Sequence, residues 1–309
     1  MNIGFIGAGK AGTALGRYLV DHGVNVVGYV SRTESSAQRA ANFTHTRSFS
    51  DRALIVASCD CLFITTTDGA IPSVWDALKR EALQGSIDLS GMIVAHVSGC
   101  CSSALFSDAQ ALGAWACSVH PLLAFGDART AYLQLSDAHF SLEGDARALE
   151  VMISLLEGLG NKTHVMDSRS KAVYHAAAVF ASNFVLAPLD AAVSLLRGCG
   201  FSDDDAREAL SVLIRANVDN FCSKGAVASL TGPIERGDAT TVAAHLAALP
   251  PPEADLYRAL AEALIGIARR KHPDRPEEEW RALDEALRPF GEDAPNPSTN
   301  NDDSARRPL

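Results

Sequence analysis

The sequence predicts an α/β domain with a doubly wound, mostly parallel sheet, followed by an all-α domain. A short apolar run from Ile3 to Ile6 is followed by a glycine-rich turn and an amphipathic helix that ends at Gly23. Strand-like and helical patterns then alternate up to about residue 166. From about Ser168 the strand pattern stops and the helices become longer. These observations predict domains at residues 1–166 and 167–288.

The glycine-rich turn has the sequence Gly7-Ala8-Gly9-Lys10-Ala11-Gly12. A strand, G-x-G-x-x-G and a helix in this order form the context of a dinucleotide-binding turn. Gly7 permits the tight turn, Gly9 lets a pyrophosphate approach the backbone, and Gly12 lets the helix pack on the strand. We therefore expect all six residues to bind a dinucleotide cofactor at the N-terminus of this helix.

The end of the second strand, Val24 to Val30, indicates which cofactor is bound. An acidic residue there usually meets a free ribose hydroxyl, whereas an arginine usually meets a 2′-phosphate. This chain has Ser31 and Arg32 at that point, so we predict NADP(H). Thr66 and Thr67 follow the apolar strand Cys61–Thr65 and are also predicted to line the cofactor. Their alternative role, with Asp68, is to cap the next helix.

Two further strands deliver polar residues to what should be the same edge of the sheet. The strand Met92–Val97 is followed by Ser98 and Gly99, and the strand Trp115–Val119 is followed by His120. Because ligands bind at the carboxyl ends of parallel strands, Ser98 and Gly99 are predicted to bind substrate and His120 to be catalytic. A structural role for His120 is an equal alternative. His96, inside its strand, is interpreted as a hydrogen-bonded core residue.

The remaining elements follow from periodicity and turn residues. The pattern predicts a short helix at about 102–112, strands at 139–142 and 163–166, and a helix between these two strands. It then predicts one long helix at about 168–196 and further helices at 203–221, 240–249 and 253–270, with Asp238 as a cap. Residues 289–309 are rich in Pro, Asn, Asp and Ser, and we expect them to be disordered.

The long helix carries the second group of candidate site residues. At helical pitch Lys171, His175 and Ser182 fall on one stripe, with Asn183 beside it. Buried polar groups need partners, and a substrate cleft next to the cofactor domain would supply them. Lys171 and His175 are therefore predicted to be catalytic and Asn183 to bind substrate. The alternative for Lys171 is a solvated residue in a first helical turn.

Two residues further along are additional substrate-binding candidates. Asn217 interrupts the apolar face of the helix at 203–221, and Arg236 lies in a loop that contains glycines and a proline. An ordinary helix–helix hydrogen bond is the alternative for Asn217. An ordinary helix connection is the alternative for the loop of Arg236.

Composition excludes several classes of partner. The chain of 309 residues is 47% hydrophobic and has a formal net charge of −10, which argues against nucleic acid and anionic membranes. The seven cysteines include no C-x-x-C, and no histidines show zinc spacing, so we expect reduced thiols and no metal. The first strand begins too early for a signal peptide, which favours a cytoplasmic protein.

The run from Ala172 to Leu196 is apolar enough to suggest a membrane span. It contains His175, Asn183 and Asp190, however, so we interpret it as a buried helix of a protein with no membrane partner. The same apolar helix predicts a homodimer formed through the C-terminal domain.

Taken together, the motifs resemble two-domain dehydrogenases with an N-terminal Rossmann domain and a helical domain of the 6-phosphogluconate dehydrogenase-like type. This group includes ketopantoate reductase and pyrroline-5-carboxylate reductase. A closer resemblance is to NADP oxidoreductases whose helical half is a domain of unknown function. It covers residues 1 to about 270 and includes, besides the residues above, Tyr174-His175-Ala176-Ala177-Ala178 and Leu230-Thr231-Gly232-Pro233.

The resemblance implies an oxidoreductase that transfers hydride from NADPH to a small carbonyl compound or imine, with a 2-keto acid such as ketopantoate as a candidate. Lys171 would stabilise the developing oxyanion and donate a proton, with His175 or His120 as the alternative donor. Asn183 and Ser98 would orient the substrate, and Arg236 would hold its carboxylate. In hydroxyisobutyrate-type and ketopantoate-type enzymes an Asn follows the catalytic Lys by four residues, where this chain has His175.

Two other readings of the sequence remain open. The chain could bind NADP(H) as a sensor without catalysis. It could also be a helical oligomerisation module with a vestigial nucleotide domain.

Overall fold

The computed structural model describes residues 1–288, and the predicted disordered tail at 289–309 lies outside the described residues. The chain forms two compact units, Met1–Phe184 and a second that begins at Val185. The strands end at Val165, and one helix that follows them stays with the first unit.

The first unit contains one sheet of eight strands in the order β3-β2-β1-β4-β5-β6-β7-β8. Pairing is parallel except between β6 and β7, so β7 and β8 run against the other six strands. This sheet confirms the predicted doubly wound, mostly parallel fold. The strands are β1 Asn2–Ile6, β2 Asn25–Val30, β3 Arg47–Ser48, β4 Cys61–Ile64, β5 Ile93–His96, β6 Trp115–Pro121, β7 His139–Gly144 and β8 Lys162–Val165.

Helices cover both faces of this sheet. The first-unit helices are α1 Lys10–Asp21, α2 Glu34–Thr44, α3 Arg52–Val56, α4 Ile71–Leu83, α5 Ala128–Ala131, α6 Ala146–Gly158 and α7 Lys171–Ala181. One apolar core lies under α1, α2, α5 and α6, and a second lies under α3 and α4. Phe5 and Tyr29 stack at the centre of the first core, with ring centroids 5.1 Å apart.

Two local predictions in this unit are wrong. The segment predicted as one helix at 102–112 forms two separate 3-10 turns, Ser103–Phe106 and Ala109–Leu112. Asp68 does not cap α4, because a 3-10 turn over Asp68–Ala70 precedes that helix and no side chain caps it at Ala70.

The predicted long helix at 168–196 is also wrong, because it is broken at Ser182. The backbone of Ser182 has φ −127° and ψ −80°, and its hydroxyl donates to the carbonyl of Ala178 at 2.7 Å. A serine that bonds back to the preceding turn competes with helical hydrogen bonding. The helix α8, Leu186–Gly198, starts after the break.

The apolar run is exposed rather than buried, which corrects a second expectation about it. By length and composition Ser168–Gly198 is apolar enough to cross a membrane, and none of its most apolar window is buried. Val173, Phe180 and Leu186 are 76%, 68% and 65% exposed. Isolated exposed apolar residues are normal, but a series of them along consecutive helices marks an interaction surface.

The second unit is helical. After α8 come α9 Asp203–Ser229, α10 Pro233–Arg236, α11 Ala239–Ala248, α12 Pro251–Lys271 and α13 Glu277–Ala286. Gly225, with φ +75°, bends α9 at a position that only glycine adopts easily. The core of this unit includes Val242 and Trp280. Asp238 caps α11 as predicted, accepting from the Thr241 amide at 3.0 Å.

Candidate functional site

The glycine-rich turn has the geometry that a dinucleotide site needs. Gly7 has φ +108°, and a β-carbon there would lie 2.7 Å from the Thr65 carbonyl. A β-carbon on Gly12 would overlap the Thr65 side chain, so α1 packs on the end of β4 only with glycine there. A β-carbon on Gly9, by contrast, would have no neighbour closer than 3.7 Å, which leaves its backbone open to a ligand. Thr65 was missed by sequence analysis; its hydroxyl holds the turn through the Gly7 carbonyl at 2.8 Å.

The N-terminus of α1 is free to bind an anion. Gly9 is its N-cap, no side chain caps it, and its first turn contains no acidic residue. The unpaired amide groups and the helix dipole therefore favour a phosphate here. Lys10 lies exposed in the same turn and Ala11 follows it.

Cations without ion-pair partners surround this helix end. A cavity of about 240 Å³ is lined by Gly9, Lys10, Ser36, Arg39 and Arg129, among others. Within residues 1–288 no carboxylate forms a salt bridge with any of these cations or with exposed Arg32, which follows β2 beside Ser31.

Serine and arginine on α2 extend this cationic region. The Ser36 hydroxyl accepts from Thr33 at 2.7 Å and from Arg39 at 3.0 Å. Asp127 also lines the cavity, but one of its carboxylate oxygens accepts from the Arg129 amide at 3.0 Å. Sequence analysis missed Ser36, Arg39 and Arg129 because two separate helices, α2 and α5, bring them to the start of α1.

Thr66 and Thr67 lie in the loop after β4, and neither caps a helix. Thr67 precedes the 3-10 turn without a side-chain capping bond. Thr66 makes one long contact, at 3.4 Å, to the carbonyl of Thr67. Both hydroxyls therefore keep capacity for a ligand.

Lys171 attaches α7 to the sheet. It is 2% exposed, and its ammonium group donates to the Ser98 carbonyl and to the Ser118 hydroxyl, both at 2.8 Å. These partners belong to the turn after β5 and to β6. Burial lowers the pKa of Lys171, and the Glu143 carboxylate opposes that effect. Lys171 is therefore buried, and the alternative prediction of a solvated residue in a first helical turn is wrong.

Ser98 shapes the turn that carries Gly99. Its hydroxyl accepts from the amides of Cys100 and Cys101 at 3.2 and 2.9 Å, while its carbonyl accepts from Lys171. His96 lies in the core as predicted: it is fully buried, and its Nδ1 accepts from the Ser98 amide at 3.2 Å. Its Nε2 is buried and has no hydrogen-bond partner among the described residues.

His120 and His175 meet in front of Gly99. A β-carbon at position 99 would lie 2.6 Å from His175 Nδ1 and 2.8 Å from His120 Nε2. A larger residue would collide with these two nitrogens, so glycine lets both imidazoles pack against the turn after β5. His175 Nδ1 is buried and has no partner among the described residues. Burial, then the charge of Lys171, lowers the pKa of His120 to about 4, so its imidazole is neutral at pH 7.

Tyr174 belongs to the same cluster; the sequence analysis includes it in the family resemblance but gives it no role in the site. Its hydroxyl lies 2.7 Å from His120 Nδ1, and its ring is perpendicular to the His120 ring. Lys171, Tyr174 and His175 stand at i, i+3 and i+4 and share one face of α7. That spacing was available in the sequence and would have identified Tyr174.

The other predicted substrate-binding residues are exposed. Asn183 follows the break after α7, is exposed and accepts from the Ser182 hydroxyl at 3.0 Å, so it does not continue the stripe of Lys171. Asn217 is exposed on α9 and donates to the carbonyl of Leu213 at 3.0 Å. Arg236 is exposed at the end of α10. The last two residues belong to the second unit.

The fold and the glycine-rich turn define a Rossmann-type dinucleotide-binding domain followed by a helical part. Residues 2–92 match the family described as "NADP oxidoreductase coenzyme F420-dependent", and residues 138–264 match the "Domain of unknown function (DUF2520)". The chain thus combines an NADP oxidoreductase domain with a DUF2520 domain. This confirms the predicted class of enzyme, an NADP-dependent oxidoreductase. No curated protein sequence matches the chain.

Solved structures share the fold. A Thermotoga maritima protein has a TM-score of 0.67 at 23% identity, covering 87% of this chain and 99% of its own. Plasmodium falciparum pyrroline carboxylate reductase with NADP bound has a TM-score of 0.55 at 11% identity, covering 93% and 97%. A reductive aminase from Aspergillus terreus, in complex with NADPH and ethyl-5-oxohexanoate, has a TM-score of 0.57 at 16% identity, covering 92% of each chain.

Buried His96 predicts a pH dependence of folding stability. Burial lowers its pKa from the ordinary value of 6.5 to about 4, so between these values the unfolded chain binds a proton that the folded protein does not. Stability therefore decreases as pH falls through this range, and His96 accounts for about 2 kcal/mol between pH 7 and pH 5. In urea unfolding at both pH values, His96→Gln should lose less stability than the wild type by about this amount. The exposed His164→Gln control should behave as the wild type, and an equal loss in all three proteins would contradict the account.

Proposed function

We propose that this chain is an NADPH-dependent reductase of a small carbonyl compound or imine, with 2-keto acids such as ketopantoate among the candidates. One observation carries the proposal: the imidazole nitrogens of His120 and His175 converge on Gly99, in the turn after β5, and β5 belongs to the same sheet as β1, which leads into the free N-terminus of α1. The names of the structural relatives, a pyrroline carboxylate reductase and a reductive aminase, are consistent with a C=O or C=N substrate.

The residues present fit NADPH. Gly7 to Gly12 and the free amide groups of α1 suit the pyrophosphate, because the turn is open and contains no acidic side chain. Ser31 and Arg32 suit the 2′-phosphate, with Ser36 and Arg39 as additional donors from the neighbouring cavity. Thr66 and Thr67 retain free hydrogen-bonding capacity on the adjacent loop.

The chain's own residues then have distinct tasks. NADPH, when bound, supplies hydride to the carbonyl or imine carbon. Lys171 places a fixed positive charge behind Ser98 and Gly99, which stabilises negative charge that develops in front of them. His120 and His175 hold the substrate oxygen or nitrogen by hydrogen bonds. Ser98 shapes this turn, and Asn183, Asn217 and Arg236 remain candidates for orienting the rest of the substrate.

The exposed apolar residues support a homodimer. Val173 and Phe180 on α7, and Val212, Leu213 and Phe221 on α9, are each more than half exposed. A second copy of the chain is the occupant we propose for the apolar residues of α9 and, separately, for those of α7. Charged residues such as Arg215 and Asp219 interrupt α9, and the net charge of −10 would repel an anionic membrane.

The proposed dimer predicts that a charge placed among the apolar residues of α9 weakens dimerisation. In sedimentation equilibrium the wild type should be a dimer, and Phe221→Glu should shift it towards monomer because a carboxylate cannot be buried unpaired. Leu83→Glu is the matched control, since Leu83 is 72% exposed on α4, and this variant should remain dimeric. A wild type that stays monomeric over a wide concentration range, or that floats with neutral lipid vesicles, would contradict the proposal.

The reductase itself is tested by following NADPH and NADH oxidation with ketopantoate, pyrroline-5-carboxylate and a panel of keto acids. We expect turnover with at least one compound and a preference for NADPH. Arg32→Gln should weaken NADPH binding by about 10- to 100-fold, the effect of a charged hydrogen bond, and leave NADH binding nearly unchanged. Arg80→Gln, exposed on α4, is the control and should bind NADPH normally.

Two outcomes would overturn this assignment. Tight NADPH binding without turnover of any compound would favour the sensor. Absence of binding of either dinucleotide would contradict both the reductase and the sensor.

A further inference from the structure

Two side chains from two elements form a chain that leads to Gly99. The Tyr174 hydroxyl, from α7, lies 2.7 Å from His120 Nδ1 on β6. Ser141 on β7 stands directly opposite His120 in the strand register. His120 Nε2, the other ring nitrogen, faces Gly99.

We propose that Tyr174 is a positioning residue that keeps His120 in the tautomer with the proton on Nε2, and that its hydroxyl supplies the replacement proton through the ring. This inference rests on the proposed reductase function. It assigns the donor that faces the substrate to a neutral imidazole rather than to Lys171.

The direction of the hydrogen bonds follows from the partners. Burial raises the pKa of Tyr174, so its hydroxyl keeps its proton. A phenolic O–H is a stronger hydrogen-bond donor than the N–H of a neutral imidazole, so over the 2.7 Å contact the Tyr174 proton points to His120 Nδ1, which is the unprotonated nitrogen. Because burial holds His120 neutral, its single ring proton lies on Nε2. A neutral imidazole can donate a hydrogen bond to a substrate oxygen without first being protonated.

The proton transfer balances on these groups. As negative charge develops on the substrate oxygen, the Nε2 proton of His120 passes to it, and the Tyr174 hydroxyl proton passes to Nδ1. The imidazole remains neutral, and the charge resides on the tyrosine oxygen. Return of the Nδ1 proton to Tyr174 and uptake of a proton from water at Nε2 restore the starting state.

Lys171 stabilises the charged tyrosine in this scheme. The Lys171 ammonium nitrogen lies 5.8 Å from the centre of the Tyr174 ring. The positive charge of Lys171 favours the phenolate and disfavours an imidazolium at His120. The same ammonium group therefore acts together with burial to keep the histidine neutral.

The tautomer is measured directly by long-range ¹H–¹⁵N correlation spectra of the full-length protein labelled at histidine, without substrate. We expect the His120 Nδ1 of the wild type to resonate as an unprotonated nitrogen, and Tyr174→Phe to shift it towards a mixture of tautomers. The exposed pair His245 and Tyr257 has the same Nδ1-to-hydroxyl contact at 3.1 Å. Tyr257→Phe is therefore the matched control and should leave the His120 signals unchanged.

Kinetics supply the second measurement. With a substrate that turns over, Tyr174→Phe should lower kcat by about 100-fold with KM little changed, since general acid catalysis contributes at least this much. Tyr257→Phe should keep wild-type kcat. A wild-type His120 protonated on Nδ1, or a Tyr174→Phe enzyme with undiminished kcat, would overturn the proposal. Because the spectra need no substrate, the tautomer can be refuted separately from the reductase function.

Discussion

The first unit depends on a buried ammonium group. Lys171 is the first residue of α7 and the only one on that helix that is fully buried, and its two hydrogen bonds join the helix to the turn after β5 and to the middle of β6. A buried charge left without partners would be very costly, so these bonds fix the position of the helix start. Tyr174 and His175 follow on the same face and reach His120 and Gly99 as a consequence. One side chain thereby aligns a helix, two neighbouring strands and a cluster of polar side chains.

The cofactor side of the same sheet depends on positions without side chains and on a helix start without acidic residues. Gly7 and Gly12 lack side chains because the backbone and side chain of Thr65 occupy the space, whereas Gly9 faces open space that a ligand can use. The first turn of α1 lacks acidic residues, and Arg32 lacks a carboxylate partner within residues 1–288. An acidic protein that leaves several cations unpaired around one helix end has a site suited to a phosphorylated ligand.

Local patterns predicted most of the first unit but not its three-dimensional clusters. The fingerprint and the strands β1, β2, β4, β5 and β6 follow from apolar runs next to turn residues. The break at Ser182 does not follow from such a pattern, because the run is apolar throughout and only the hydrogen bond to Ala178 shows where the helix ends. Tyr174 was accessible from its spacing to Lys171. The sequence does not indicate a role for Ser36, Arg39 or Ser141, because tertiary packing alone places them beside the cofactor turn or His120.

Replacement of Lys171 by methionine tests the central claim most directly, because it removes the ammonium group and keeps an unbranched apolar side chain. NADPH affinity, measured by fluorescence titration, should be unchanged, since the glycine-rich turn does not contact this residue. Turnover of the best substrate should fall by at least about 100-fold, because both the fixed charge and the alignment of His120 and His175 are lost. A Lys171→Met protein that binds NADPH normally and retains wild-type turnover would contradict the account.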